Sequence, residues 1–208
     1  MTSPYPHLDR NRFARATQKI MQACSDQEGV NCYTYALIAQ TALQRLEIPA
    51  VLRVGYAAWR VGPGRDDVVL HHPAGALVDT LGPDQRGFIY HAWIQIGKEL
   101  LDFTTYQLRG KAEAMTAIDG IPLAVDWCPQ FLWVSVQSSY KVDKVINGMK
   151  AGMYCYEPNR IIHDKLKRHE AYDIDEYHVD ALLQAYAVLS HGDVQVYGPA
   201  NLGVNKHG

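Results

Sequence analysis

Between Asn31 and Pro49 the chain carries the run CYTYALIAQTALQRLEI. Written on a helix, its apolar residues Tyr35, Ala36, Leu37, Ile38, Ala39, Ala42, Leu43 and Leu46 go almost all the way round. A helix with one apolar stripe can lie on a surface. One that is apolar on nearly every side needs packing partners on nearly every side, so Cys32 to Leu46 belongs in the middle of a domain. Asn31 offers a side-chain cap in front of it and Pro49 stops it behind. A strand, Ala50 to Trp59, is expected directly afterwards.

A central helix requires enough chain to cover it. The 208 residues are 48% hydrophobic and 20% charged, which suffices for a real core without disulfide staples. The four cysteines, Cys24, Cys32, Cys128 and Cys155, are scattered, with no two-residue gap of a zinc or redox motif. The net charge of −2 gives no electrostatic footprint for nucleic acid or an anionic membrane. With a mean hydropathy of −0.20, no apolar run reaches bilayer length. The N-terminal MTSPYPHLDRNRFARATQK has basic residues without the apolar stretch of a secretory signal, so a cytoplasmic protein is expected.

The remaining segments are assigned by period and punctuation. Residues to about Arg10 read as irregular, and Asn11 to Cys24 as a helix with Phe13, Ala16, Thr17, Ile20 and Met21 on one face. Val61 to Gly87, rich in Gly, Pro and Asp, reads as a long surface excursion with one short apolar break at Val68–Leu70. Phe88 to Ile96 and Glu99 to Thr105 form a hairpin turning at Gly97-Lys98. A short helix over Lys111–Ile118 and a strand over Phe131–Gln137 follow, and beyond Tyr140 the chain reads as helical, Arg160 to His169 and Asp175 to Leu189. The sum is an α+β fold: a central helix packed on a mainly antiparallel sheet, one domain over 1–208 with a core of about 11–140 and a helical C-terminal extension of about 141–208.

Three residues carry the chemistry. Cys32 falls in the first turn of the central helix, where unpaired N–H groups and the helix dipole favour a thiolate. With a two-residue turn at Gly97-Lys98, His91 stands opposite Thr104, and Asp102 lies diagonally from it on the same face. A carboxylate there can hold an imidazole by one ring N–H. Each residue alone is unremarkable: cysteine is often core, histidine often satisfied within one, and an aspartate often sits at a hairpin edge.

Taken in order, NCYTYALIAQTALQRLEIPAVLRVGY, then HAWIQI, then LLDFTT resembles the core of the transglutaminase-like superfamily, a papain-like set of cysteine enzymes, here over about Gly29 to Tyr106. The resemblance implies a nucleophilic Cys32, a base His91 followed by Trp93, and an orienting Asp102, in a bacterial branch of that superfamily. Tyr33 stands where members often carry Trp, and Phe103 where they often carry Pro; residues 61–87 and those beyond Tyr140 lie outside it. It implies a hydrolase or acyltransferase acting on a peptide, an amide or a small acyl substrate through an acyl-enzyme, with hydrolysis favoured and no cofactor. Gln27, in the loop just upstream of Cys32, is the candidate second oxyanion donor, although a solvated loop amide is the more frequent role of such a residue. A non-catalytic papain-like scaffold that binds a protein or small molecule is the alternative.

The other constellations read as structural. His71-His72 and the set His163, His169 and His178 lack metal-ligand spacing and are expected to be solvated surface histidines, with no metal. HDKLKRHEAYDIDEYHVD reads as a charged helix face, and GYAAWRVGPG lacks the context of a nucleotide loop. Trp59, Trp93, Trp127 and Trp133 are expected to line a cleft or fill the core.

Overall fold

In the computed structural model, residues 5–24, 31–72, 89–168, 174–190, 192–198 and 200 are described. The apolar run becomes helix α2 (Cys32–Arg45), preceded by α1 (Arg10–Cys24), whose buried Phe13, Ala16, Thr17, Ile20 and Met21 recur at helical spacing. The ends of α2 differ from expectation. Asn31 makes no side-chain cap; its carbonyl instead accepts from Tyr35 N–H at 3.1 Å. The helix stops before Pro49, at a turn where Glu47 takes φ 61° and Ile48 N–H returns to the Leu43 carbonyl.

Strands β1 (Ala50–Arg60), β2 (Val68–His71), β3 (His91–Ile96), β4 (Glu99–Asp102), β5 (Leu132–Ser135) and β6 (Tyr154–Pro158) form one sheet in which every pairing is antiparallel. The long β1 is its spine. Its first half pairs with β3 and its second half with β2, while β6 lies along the opposite edge. Gly97, at φ 55°, turns β3 into β4, and the register Ile94↔Leu101, Gln95↔Leu100, Ile96↔Glu99 is the one the two-residue turn requires.

The sheet separates two cores. On one face Leu52, Val54, Ala92, Ile94, Ile96 and Leu101 pack against α1, α2 and helix α6 (Glu176–Val188). The other face presents Ala57, Trp59, Val69, Trp93, Leu100 and Tyr156 to helix α3 (Leu108–Asp119), where Leu108 and Ala112 are buried. Helices α4 (Val142–Ile146) and α5 (Arg160–Leu166) pack against β1 from the later part of the chain.

Two segments depart from the sequence reading. Residues 61–72 are not a surface excursion: Val61 and Val69 are buried, and Val68–His71 pairs with Ala57–Arg60. Residues 73–88 lie outside the described residues. The region beyond Tyr140 is not purely helical either, because Tyr154–Pro158 forms β6 beside β1. Both short strands are stabilised by a partner distant in sequence, which local periodicity does not register. The Phe131–Gln137 strand is shorter than expected, breaking into a 3-10 turn at Val136–Ser138.

At the end of β1 the Arg60 side chain is fully buried. Its guanidinium donates to the carbonyls of Val145 (2.9 Å), Gly64 (2.5 Å), Arg65 (3.3 Å) and Ile146 (2.5 Å), tying β1 to α4 and to the 62–67 turn. Asp67 closes the same turn, accepting from Gly64 N–H at 2.6 Å and Ala124 N–H at 2.8 Å.

Candidate active site

His91 opens β3 and Asp102 closes β4, and the hairpin register brings both to the α3 face. His91 Nε2–H donates to Asp102 Oδ2 at 2.8 Å, with both side chains buried. An ionised carboxylate only accepts, so the ring proton sits on Nε2 and the neutral imidazole keeps its lone pair on Nδ1. That Nδ1 is buried and has no nitrogen or oxygen partner.

The carboxylate is heavily supported. Burial opposes its charge, but His91, the Tyr156 hydroxyl at 2.6 Å and the Thr104 N–H at 2.8 Å outweigh it and hold the carboxyl well below the usual range. The Thr104 hydroxyl adds a further donor at 2.8 Å. Tyr156 is oriented in turn by Trp59 Nε1–H, which donates to its oxygen at 2.8 Å. Burial and the neighbouring Asp102 push the Tyr156 phenol well up, so it remains a donor.

Cys32, 5% exposed, approaches from the opposite face as the first residue of α2. The β3–β4 ladder covers only Ile94 to Ile96, which leaves the edge of β3 open at Ala92, and the Ala92 N–H donates to the Cys32 sulfur. Burial by itself raises the thiol. The contact with His91 and its charge, then Lys111 and the Ala92 N–H, outweigh that, and the net direction is below the ordinary cysteine value. For His91 burial opposes protonation, Asp102 and Cys32 favour it, and the ring is raised. The thiol–ring contact is looser than the ring–carboxylate bond, since Nδ1 makes no well-aligned hydrogen bond. The Cys32 N–H, in the first turn of α2, belongs to the amides a helix leaves without an internal acceptor.

No other cysteine has this environment. All four are free; burial and Glu157 push Cys155 up to about 12, and burial raises Cys24. A cavity of about 490 Å³ between α1, α6 and residues 194–198 includes Cys24 but none of the three residues above.

The structure thus brings Cys32, His91 and Asp102 together, and it places others differently from expectation. His71 is not a solvated surface histidine: its ring lies 5.6 Å from His91 and 5.4 Å from Trp59, because β2 continues along the edge of β1 that β3 leaves. His72 packs on Tyr56 at 5.0 Å. His163 Nε2 is buried, His178 faces Asp175, and Gln27 and His169 lie outside the described residues. Among the described residues no group of three His, Cys, Asp or Glu could hold a metal ion. Of the tryptophans, Trp59 and Trp93 flank His91 at 4.8 and 6.4 Å, Trp127 stacks on Tyr154, and Trp133 donates to Glu99. Sequence reasoning did not identify Tyr156, His71 or Lys111 as residues of this site, and named Trp59 only among tryptophans expected to line a cleft or fill the core. The alternating Tyr154-Cys155-Tyr156 run before Pro158 was the available signal for the first.

No family model matches the chain, and no curated protein matches it. Among solved structures it is similar to the crystal structure of a genomics target, with 14% identity and a TM-score of 0.56 over 86% of this chain and 79% of that one. The likeness concerns the fold, a mixture of helices with a curled antiparallel sheet. Among the described residues no helix is long and apolar enough to cross a membrane.

Proposed function

We propose that the chain is a cysteine-dependent acyl-transfer enzyme of transglutaminase-like, papain-like type, with Cys32 as nucleophile, His91 as base and Asp102 as the group that orients the base. The observation that carries this reading is the division of labour on one imidazole. Asp102 occupies Nε2, which leaves Nδ1 as the basic nitrogen, and the nearest acid to it is a thiol already lowered by the ring.

In this reading Nδ1 takes the Cys32 proton, giving a thiolate–imidazolium pair stabilised by Asp102. The thiolate attacks the carbonyl carbon of an amide, peptide, ester or thioester. The resulting oxyanion is held by the Cys32 N–H and a second donor, for which Gln27 is the sequence candidate. Collapse of the adduct expels the leaving group, which takes the proton from Nδ1–H, and an acyl-enzyme remains. Water then gives hydrolysis, the favoured outcome, and an amine gives transfer. A reducing compartment such as the cytoplasm suits a thiol that must stay free.

The test is the pH dependence of alkylation at Cys32, followed by intact mass and peptide mapping, in wild type and His91→Ala. Labelling of the wild type persists well below the ordinary cysteine pKa of about 8.5, and the profile moves upward in the variant. An ordinary Cys32 profile, indifferent to His91, refutes the enzyme reading and leaves the non-catalytic scaffold.

A further inference from the structure

Lys111 is a buried charge whose environment does not account for it. It sits in α3 against the His91 face, is 9% exposed, and holds its Nζ 5.3 Å from the centroid of the Trp59 ring. Among the described residues no carboxylate forms an ion pair with it. Burying an ammonium without a counter-charge is costly, and a ring face offsets only part of the cost. Burial pulls the Lys111 pKa down, and the acidic groups that feel its charge and oppose that pull are Cys32 and Asp102. Asp102 is already engaged by His91, Tyr156 and Thr104, so the Lys111 charge is left to act on Cys32 without a hydrogen-bonded counter-ion of its own.

His71, in ring contact with both Trp59 and His91, carries a second unused group. Burial, then the charges of Lys111 and His91, hold its ring neutral, and the ring donates to the Tyr90 carbonyl. Its Nδ1 is buried without a partner. That nitrogen can make one further hydrogen bond, as donor or acceptor according to the tautomer. An unpaired cation and an unspent ring nitrogen, both close to the Trp59–His91 cluster, describe a complementary molecule.

We infer that the acyl substrate is anionic: Lys111 binds a carboxylate on the substrate, and His71 Nδ1 makes a hydrogen bond to the same molecule. The substrate class is a carboxylate-bearing amide or thioester. This rests on the acyl-transfer reading and narrows it, with Lys111 and His71 as specificity-determining residues. Lys111 selects by charge, because a neutral acyl group leaves its ammonium buried and unpaired.

Two alkylating agents with one reactive group test it: iodoacetate, which carries a carboxylate, and iodoacetamide, which does not. Their rate ratio at Cys32 in the full chain cancels any change in thiolate fraction. In Lys111→Met the iodoacetate-to-iodoacetamide ratio falls about tenfold, as the loss of one nearby positive charge in a poorly solvated site requires. Lys111→Arg keeps the wild-type ratio. Wild type itself provides a check without substitution: its iodoacetate-to-iodoacetamide ratio at Cys32 is about tenfold higher than that of a small neutral thiol such as 2-mercaptoethanol. A ratio unchanged in Lys111→Met, or one no higher than the free thiol's in wild type should that variant not fold, overturns the anionic-substrate inference. Its failure is separable from failure of the triad, because dependence of Cys32 ionisation on His91 is read in the same assay with iodoacetamide alone.

Discussion

Two buried charges lie at the ends of two strands, and they are treated differently. The Arg60 guanidinium at the end of β1 spends itself on four backbone carbonyls, and everything around it is satisfied by the chain. The Asp102 carboxylate at the end of β4 is as thoroughly supported, but its support ends in an imidazole that keeps one nitrogen unspent. A saturated buried charge holds a turn and a helix in place. A buried charge whose network ends in an unspent ring nitrogen beside a thiol is the arrangement that the proposed chemistry needs. Burial alone does not distinguish the two; what the last atom in the network faces does.

The comparison can be broken first at Arg60. Arg60→Met strands four carbonyls and is expected to cost about 3–5 kcal/mol of stability in chemical denaturation, the largest effect foreseen here. In the fraction that remains folded, Cys32 alkylation should keep its dependence on His91. A loss of that dependence with little loss of stability would show that Arg60 belongs to the site.

Asp102→Asn inverts the pattern. The shape survives, but an amide N–H can donate to the ring and shift its proton to Nδ1, so alkylation of Cys32 near neutral pH is expected to slow by about a hundredfold or more. A rate within a few-fold of wild type would mean the tautomer is set elsewhere.

The stability difference between wild type and Asp102→Asn sharpens the comparison through pH. Asp102 is depressed, so its stabilising contribution is present above the unfolded carboxyl value near 4 and is lost as pH falls toward the folded value. His91 is raised, so its contribution is complete below the unfolded value near 6.5 and is lost as pH rises through the folded one. The difference should therefore peak between about pH 4 and 6.5, read from denaturation midpoints across pH. A flat profile would contradict the pairing.

The smallest effect is expected at Tyr156→Phe. It removes one of the donors to Asp102 and strips Trp59 Nε1–H of its acceptor, at a cost of about 2–3 kcal/mol in thermal or chemical denaturation. The Cys32 alkylation profile should move far less than in His91→Ala. A shift as large as that of His91→Ala would make Tyr156 the principal orienting group.

How far the sequence could be read follows from where each stabilising partner lies. Helix α2 was legible because its apolar residues crowd into fourteen consecutive positions. The β3–β4 register was legible because a two-residue turn determines the pairing on either side of it, and with it the shared face of His91 and Asp102. His71 was misread because Gly, Pro and Asp around it suggest exposure, whereas the pairing with Ala57 that buries it is made from another strand. Tyr156 was missed because Tyr154–Pro158 spans five residues between helical stretches, too few for alternation to register. Lys111 reads in one dimension as any helix lysine. Its meaning comes from Trp59, which no local pattern connects to it.

Strand β6 also sets an order of events during synthesis. Cys32, His91 and Asp102 all precede Tyr156, which comes 54 residues after the carboxylate it serves and 97 after the tryptophan that aims it. A growing chain therefore holds these three side chains well before it holds the strand that completes their burial. Assembly of the centre awaits synthesis of β6, and a chain released before that strand carries Cys32 without its finished enclosure.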